Sequence, residues 1–271
     1  MPRSIWSGSI SFGLVNIPIK LTTAVDSKDV SFRQIRRSDS SRIRYRKVAE
    51  VDEEEVTNDE IVKGYEVAPD RYIVIEPDEL KGLDPKKSRT IDICDFVDLD
   101  DIDPIYYDSS YYLVPQDTAA KPYVLLHQAM VESGKAAVAR FVLRSKEKLV
   151  VIRPLGEALA VSTLSYADEI ISPGQLGLPD ADDLEVSDAE VRMAEQLIES
   201  MTTEWEPERY EDEYRQKVLE LIEAKAEGQE VAVPPEVEEG GEVVDLMAAL
   251  EQSLQAAKDA KDSSDEAKES A

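Results

Sequence analysis

Ser4 to Leu21 reads SIWSGSISFGLVNIPIKL. Trp6, Gly8, Ile10, Phe12 and Leu14 alternate with Ser7, Ser9, Ser11 and Gly13, the period of two that marks a half-buried strand. From Val15 the phase flips, and Val15, Ile17, Ile19 and Leu21 become the apolar set. A one-residue slip beside Gly13 predicts a β-bulge or a barrel corner. Further strands are expected at Val30 to Ile35, Arg42 to Val48, Tyr72 to Ile75, Thr90 to Val97, Ile105 to Tyr107 and Tyr111 to Val114, with Asp-Ser-Ser at 108–110 as a turn. Three more follow at Ala136–Arg144, Leu149–Arg153 and Ala158–Ser165. Many short strands with turn signals between them point to a barrel rather than a βαβ fold.

Helices punctuate this pattern. Lys121 to Ser133 reads as one, with Pro122 in its first turn and Gly134 closing it. After Pro173, Ser187 and Glu190 make a capping box, and Val191, Ala194, Leu197, Ile198 and Met201 recur at helical spacing. A second helix is expected from Pro207 to Gly228, with Tyr210, Tyr214, Val218, Leu221 and Ile222 on one face. The pair has a long apolar stripe and few local partners, so it reads as an arm that packs on something else. Residues 229–240 form a polar, proline-interrupted linker. Val243, Leu246, Met247, Leu250 and Leu254 then follow amphipathic spacing; the helix reads as core or as a docking peptide, and its place beyond the linker favours docking. The last residues are low in complexity and are expected to be disordered.

The 271 residues carry 58 Asp/Glu against 31 Lys/Arg, a formal charge of −27 that would repel a polyphosphate. The distribution along the chain alters that expectation. Residues 1–48 hold ten Lys/Arg against three acids, a net of +7, and residues 134–153 hold six against one, a net of +5. Residues 49–133 and 154–228 are each −15, and residues 229–271 are −9. Local field decides whether a phosphate backbone docks, so the two basic islands are the candidate site. Its residues are Arg33, Arg36, Arg37, Arg42, Arg44, Arg46 and Lys47, then Lys135, Arg140, Arg144, Lys146 and Lys148. On strands, Arg42, Arg44 and Arg46 share one face, as do Arg140 and Arg144, while Lys146 and Lys148 fall in a turn. The competing reading is a solvated sheet face with cross-strand ion pairs.

Other chemistries lack their residues. One cysteine, Cys94, excludes an internal disulfide framework and a Cys-based zinc site. The acidic runs 50–55 and 98–103 lack a calcium-loop pattern and read as solvated loops. His127, the single histidine, reads as a half-exposed helical residue. No phosphate loop or nucleophile elbow is present, so no enzyme activity, metal or cofactor is expected. No apolar stretch is long enough for a membrane span, and the N-terminus has no apolar export core; a soluble, non-exported, cytoplasmic protein is expected.

Taken together, the stretches 4–21, DVSFRQI (29–35), RIRYRKVAEVDEEEV (42–56), KGYEV (63–67), 89–115, AAKPYVLL (119–126), AVARFVLRSKEKLVVIRP (137–154), 185–201, 210–228 and VVDLMAALEQSL (243–254) closely resemble the prokaryotic Ku proteins. The resemblance implies a mainly β fold with α: a Ku-type β-barrel core with a DNA-encircling bridge over 1–178, and a helical arm over 179–228. A linker, a ligase-recruiting helix at 243–255 and a flexible acidic tail would occupy 229–271. It further implies a homodimer that threads double-stranded DNA ends in non-homologous end joining and recruits and stimulates the ATP-dependent ligase D, with no catalysis of its own. Some relatives carry a cysteine pair where this chain has Ala49 and Asp52, so no zinc is expected. Many end in a Lys-rich extension, whereas this tail has three Lys, so tail-mediated DNA contact is not expected. An acidic protein-interaction scaffold without DNA contact is the alternative.

Overall fold

The computed structural model describes residues 4–83, 89–144, 146–180, 184, 186–228 and 247–256. The chain divides into two compact units, Met1–Lys28 with Phe32–Ser172, and Asp29–Ser31 with Pro173–Ala271.

The first unit is built on a closed barrel. Strands β1 (Ser4–Phe12) and β2 (Val15–Thr23) form a hairpin, with Phe12 facing Val15 and Ile10 facing Ile17. The phase flip is therefore not a bulge: Gly13, at φ +59°, takes the first position of a two-residue turn, where glycine has no steric cost. A two-residue turn keeps facing pairs on one side, and Ile10, Ile17, Ile19 and Leu21 are all buried. Strands β3 (Lys63–Ala68) and β4 (Arg71–Ile75) make a separate two-stranded sheet, followed by α1 (Pro77–Leu83). The barrel resumes with β5 (Thr90–Asp98), β6 (Tyr107–Pro115), β7 (Lys135–Leu143), β8 (Lys146–Leu155) and β9 (Ala158–Leu164). Around the wall the order is β1-β2-β6-β9-β8-β7-β5. The seam between β1 and β5 is parallel and every other pairing is antiparallel.

Helix α2 (Ala120–Ser133) ends at Gly134, whose φ is +65°. It puts Tyr123, Leu126 and Met130 into the core that Ile10, Ile17, Leu113, Phe141, Val150 and Val161 share from the strands. The Tyr123 hydroxyl donates to the Leu113 carbonyl and accepts from the Leu159 N–H, both at 2.7 Å. Burial raises its pKa above the ordinary phenol value. His127 is half-buried, and its Nε2 lies 3.0 Å from the Gly156 carbonyl.

Residues 105–110 differ from expectation. Pro104–Tyr106 is a 3-10 turn that Asp103 caps through the Ile105 N–H, and 108–110 lie inside β6. Side chains bridge the register shift there: Ser109 N–H donates to Thr163 Oγ1 at 3.0 Å, and Ser110 and Ser162 hydroxyls meet at 2.9 Å.

In the second unit, α3 (Asp188–Met201) carries the expected capping box: Ser187 Oγ accepts from Glu190 N–H, and Glu190 accepts from the Ser187 backbone at 2.7 Å. Helix α4 (Glu213–Ala226) starts later than expected, because Asp212 supplies the cap and Pro207–Arg209 is only a 3-10 turn. Tyr210 therefore sits before the helix, stacked on Trp205 at 5.1 Å. No residue of α3 or α4 is buried. Residues 247–256 are helical, with Met247, Leu250 and Leu254 half-buried; Val243 and Leu246 lie outside the described residues.

Candidate nucleic-acid interface

The first basic island lies in the long segment that leaves the barrel after β2 and returns at β5. Among the described residues of 24–89, none is buried, and Phe32 and Tyr45 are 70% and 82% exposed. With no apolar face to bury, no regular strand forms at 30–35 or 42–48. The expected strands reduce to two isolated antiparallel bridges, Ile35 with Arg42 and Val48 with Glu55. The chain doubles back through 37–40, where Ile43 N–H donates to the Gln34 carbonyl, and again through 49–53, where Val56 N–H donates to the Lys47 carbonyl. Ser40 and Glu53 take positive φ at the two bends.

This folding rearranges the arginines. Strict alternation would hold Arg42, Arg44 and Arg46 on one face, away from Ile43 and Tyr45. Instead Arg33 and Arg42 line one shallow hollow together with Gln34, Ile43 and Tyr45, and the Tyr45 hydroxyl donates to Gln34. Gln34 and Tyr45 thus belong beside the arginines, which the alternation did not signal. Three cations are engaged locally. Arg36 pairs with Asp39 at 2.6 Å, Arg46 with Glu55 at 3.0 Å, and Lys47 donates to Asn58 at 2.9 Å. The Ser41 backbone N–H, then its hydroxyl and the Arg36 guanidinium, hold Asp39 below the usual carboxylate range. Arg33, Arg37, Arg42 and Arg44 make no ion pair among the described residues.

The second island is split by the strand parity. Lys135 opens β7 and pairs with Asp98 across the ladder at 2.7 Å. Arg140 points away from the core that Ala139 and Phe141 enter, faces Asp92 across the β5 ladder, and lies 3.9 Å from Glu147. Arg144 is not on the strand with Arg140; it is the turn residue after β7, with φ +52°. Lys146 and Lys148 are not in the turn but on β8, opposite Leu143 and Phe141. They share the parity of buried Val150 and Ile152. Arg144, Lys146 and Lys148 make no ion pair among the described residues. The mixed-sign reading therefore fits Lys135 and Arg140, and it does not fit these three.

The family model for the Ku70/Ku80 beta-barrel domain matches residues 11–193. The chain belongs to the Ku family. Proteins named "Non-homologous end joining protein Ku" are similar to it over most of their length. One from Anaeromyxobacter sp. (strain K) is 52% identical over 95% of this chain and 87% of its own. One from Heliobacterium modesticaldum is 44% identical over 94% and 92% of the two chains. The Bacillus subtilis protein is 40% identical over 93% and 81%. The closed seven-stranded wall is thus the Ku-type barrel, and the segment 24–89, none of whose described residues is buried, is an insertion between two of its strands. Among the described residues of this Ku-family chain, no group of three His, Cys, Asp or Glu is placed to hold a metal. None of its described helices is long and apolar enough to cross a membrane.

Proposed function

We propose that this chain binds double-stranded DNA ends without sequence preference in repair by non-homologous end joining. It acts as a homodimeric ring that threads the duplex, and it has no catalysis of its own. The observation that carries the reading is the segment 24–89. It presents Arg33, Arg37, Arg42 and Arg44 without ion-pair partners among the described residues, and its apolar residues, Phe32, Ile43, Tyr65 and Ile73 among them, are left uncovered. Guanidiniums on the irregular, exposed backbone of residues 33–44 suit phosphates, which fix position without carrying sequence information. The uncovered apolar side chains call for a second copy, and the apolar residues of α3 and α4 extend that demand to the arm. The helix at 247–256, beyond the linker, recruits and stimulates the ATP-dependent ligase D.

The test is a gel shift with linear and covalently closed circular DNA of equal length, repeated across salt concentrations. Binding to linear DNA alone, weakening steeply with salt, is expected. Equal binding to both forms would overturn threading. Absence of salt-dependent binding would leave the chain a protein-interaction scaffold.

A further inference from the structure

The hollow lined by Arg33, Gln34, Arg42, Ile43 and Tyr45 has a volume of about 210 Å³. Two limbs of a short hairpin build it. Arg36 N–H donates to the Ser41 carbonyl at 2.8 Å, Ile35 bridges Arg42, and Ile43 N–H donates to the Gln34 carbonyl at 3.1 Å. Arg33 therefore belongs to one limb and Arg42 to the other. The side chains of Tyr45 and Gln34 tie the limbs together beside them, with the Tyr45 hydroxyl as donor. At the closed end of the hairpin the Arg36 charge is neutralised by Asp39. At the hollow, two guanidiniums share a small space with no acid in its lining, and neither makes an ion pair among the described residues.

Charge and size select the ligand. Like charges held side by side repel, and an anion between them removes the repulsion. Guanidinium forks match phosphate oxygens bidentately. The Gln34 side chain accepts from Tyr45 through its oxygen, which leaves its amide N–H groups as further donors. Pockets that enclose a whole small-molecule ligand run from roughly 300 to 1,000 Å³, so this smaller hollow suits one phosphate group rather than a nucleotide. The hollow beside α4 has the opposite chemistry. Arg209 and Lys217 line it together with Glu211, Glu213 and Glu220, which already supply the anions.

We propose that Arg33 and Arg42 grip one and the same phosphate of the DNA, and that Tyr45 and Gln34 are positioning residues that hold the two limbs at the spacing this needs. The inference rests on the reading of the chain as a DNA-end-binding protein, and adds that two cations here answer to a single phosphate. Tyr45 is uncharged and acts through the arginines: its hydroxyl ties Gln34 and so keeps both limbs of the hairpin in register. A seat formed before the ligand arrives loses less side-chain freedom on binding.

Binding of the full-length chain to a blunt linear duplex, measured across salt concentrations, tests this. Each neutralised phosphate adds about 0.9 to the slope of log affinity against log salt. Arg33→Gln and Arg42→Gln should each lower affinity and leave the slope nearly unchanged, while the double variant should lower it by about 0.9. A fall of about 0.9 in each single variant and about 1.8 in the double means two separate phosphates and overturns the seat, as does a double variant with the wild-type slope. Tyr45→Phe should weaken binding about fivefold, the worth of one hydrogen bond, and should have no effect in the double-variant background. An equal loss in both backgrounds overturns the positioning role. None of these side chains is buried, so the thermal midpoint should stay that of the wild type. Removing the 5′-phosphates identifies the source of the group: undiminished affinity assigns the seat to the backbone, and a loss that the double variant does not show assigns it to the end. A wild type without salt-dependent binding instead defeats the DNA-end reading, and the seat falls with it.

Discussion

Arg33, Arg42 and Arg44 offer charges that no ion pair among the described residues neutralises, whereas Arg36 and Arg46 already share theirs with Asp39 and Glu55. Replacing the first three together by Glu should therefore weaken DNA binding far more than replacing Arg36 and Arg46. The slope of log affinity against log salt should fall by about 0.9 for each phosphate that is no longer neutralised. Equal effects of the two sets would remove the hollow from the DNA-binding surface. Tyr123 is a residue of another kind, since its hydroxyl serves a buried carbonyl and a buried N–H at once. Tyr123→Phe leaves both without a partner and should destabilise the barrel by about 1–3 kcal/mol, read as a lower thermal midpoint.

Among the elements, α3 depends on its first turn, for none of its residues is buried. The Ser187 hydroxyl and then its backbone N–H hold the Glu190 carboxylate below the usual value of 4.5. A depressed folded pKa stabilises above the unfolded value and ceases to do so as pH falls through the folded one. Acidification from about pH 5 downward should thus loosen α3 before the barrel, and Ser187→Ala should remove that step; amide exchange of residues 188–194 measures both. The capping box was legible from two residues because its chemistry is local. The strands β7, β8 and β9 were legible for a related reason, since burial of one or both faces writes itself into Ala137, Ala139 and Phe141 or Val150 and Ile152. Arg42 to Arg46 alternate just as clearly with Ile43 and Tyr45, yet no core stands behind them, and backbone reversals at Ser40 and Glu53 set their positions instead. Which cations stay free was not legible at all. It depends on Asp98 and Glu55 reaching Lys135 and Arg46, and on the register that pairs β5 with β7. The hairpin at Gly13 lies between these cases: the phase flip was visible, but a bulge and a two-residue turn produce the same flip.

At the scale of the whole molecule, the −27 charge constrains orientation rather than partner, because the basic residues are concentrated in two stretches of one unit. The barrel that carries both stretches closes at a single parallel seam. There Ser9 N–H donates to the Arg89 carbonyl at 2.9 Å, and a Cβ on Gly8 would lie 2.2 Å from that oxygen and from the Trp6 indole. Gly8→Val should open the seam and cost about 3 kcal/mol or more, lowering the cooperativity of unfolding, while Gly13→Asn at the turn should be tolerated. The seam also sets an order of events. Its first strand is made before the insertion, and its partner begins only at residue 90. The wall therefore cannot seal until the whole arginine-bearing insertion has been made, and a nascent chain truncated within the insertion has no closed barrel to present. Assembly quality is thereby checked by chain length: a sealed wall is proof that the segment proposed to touch DNA is already attached at both ends.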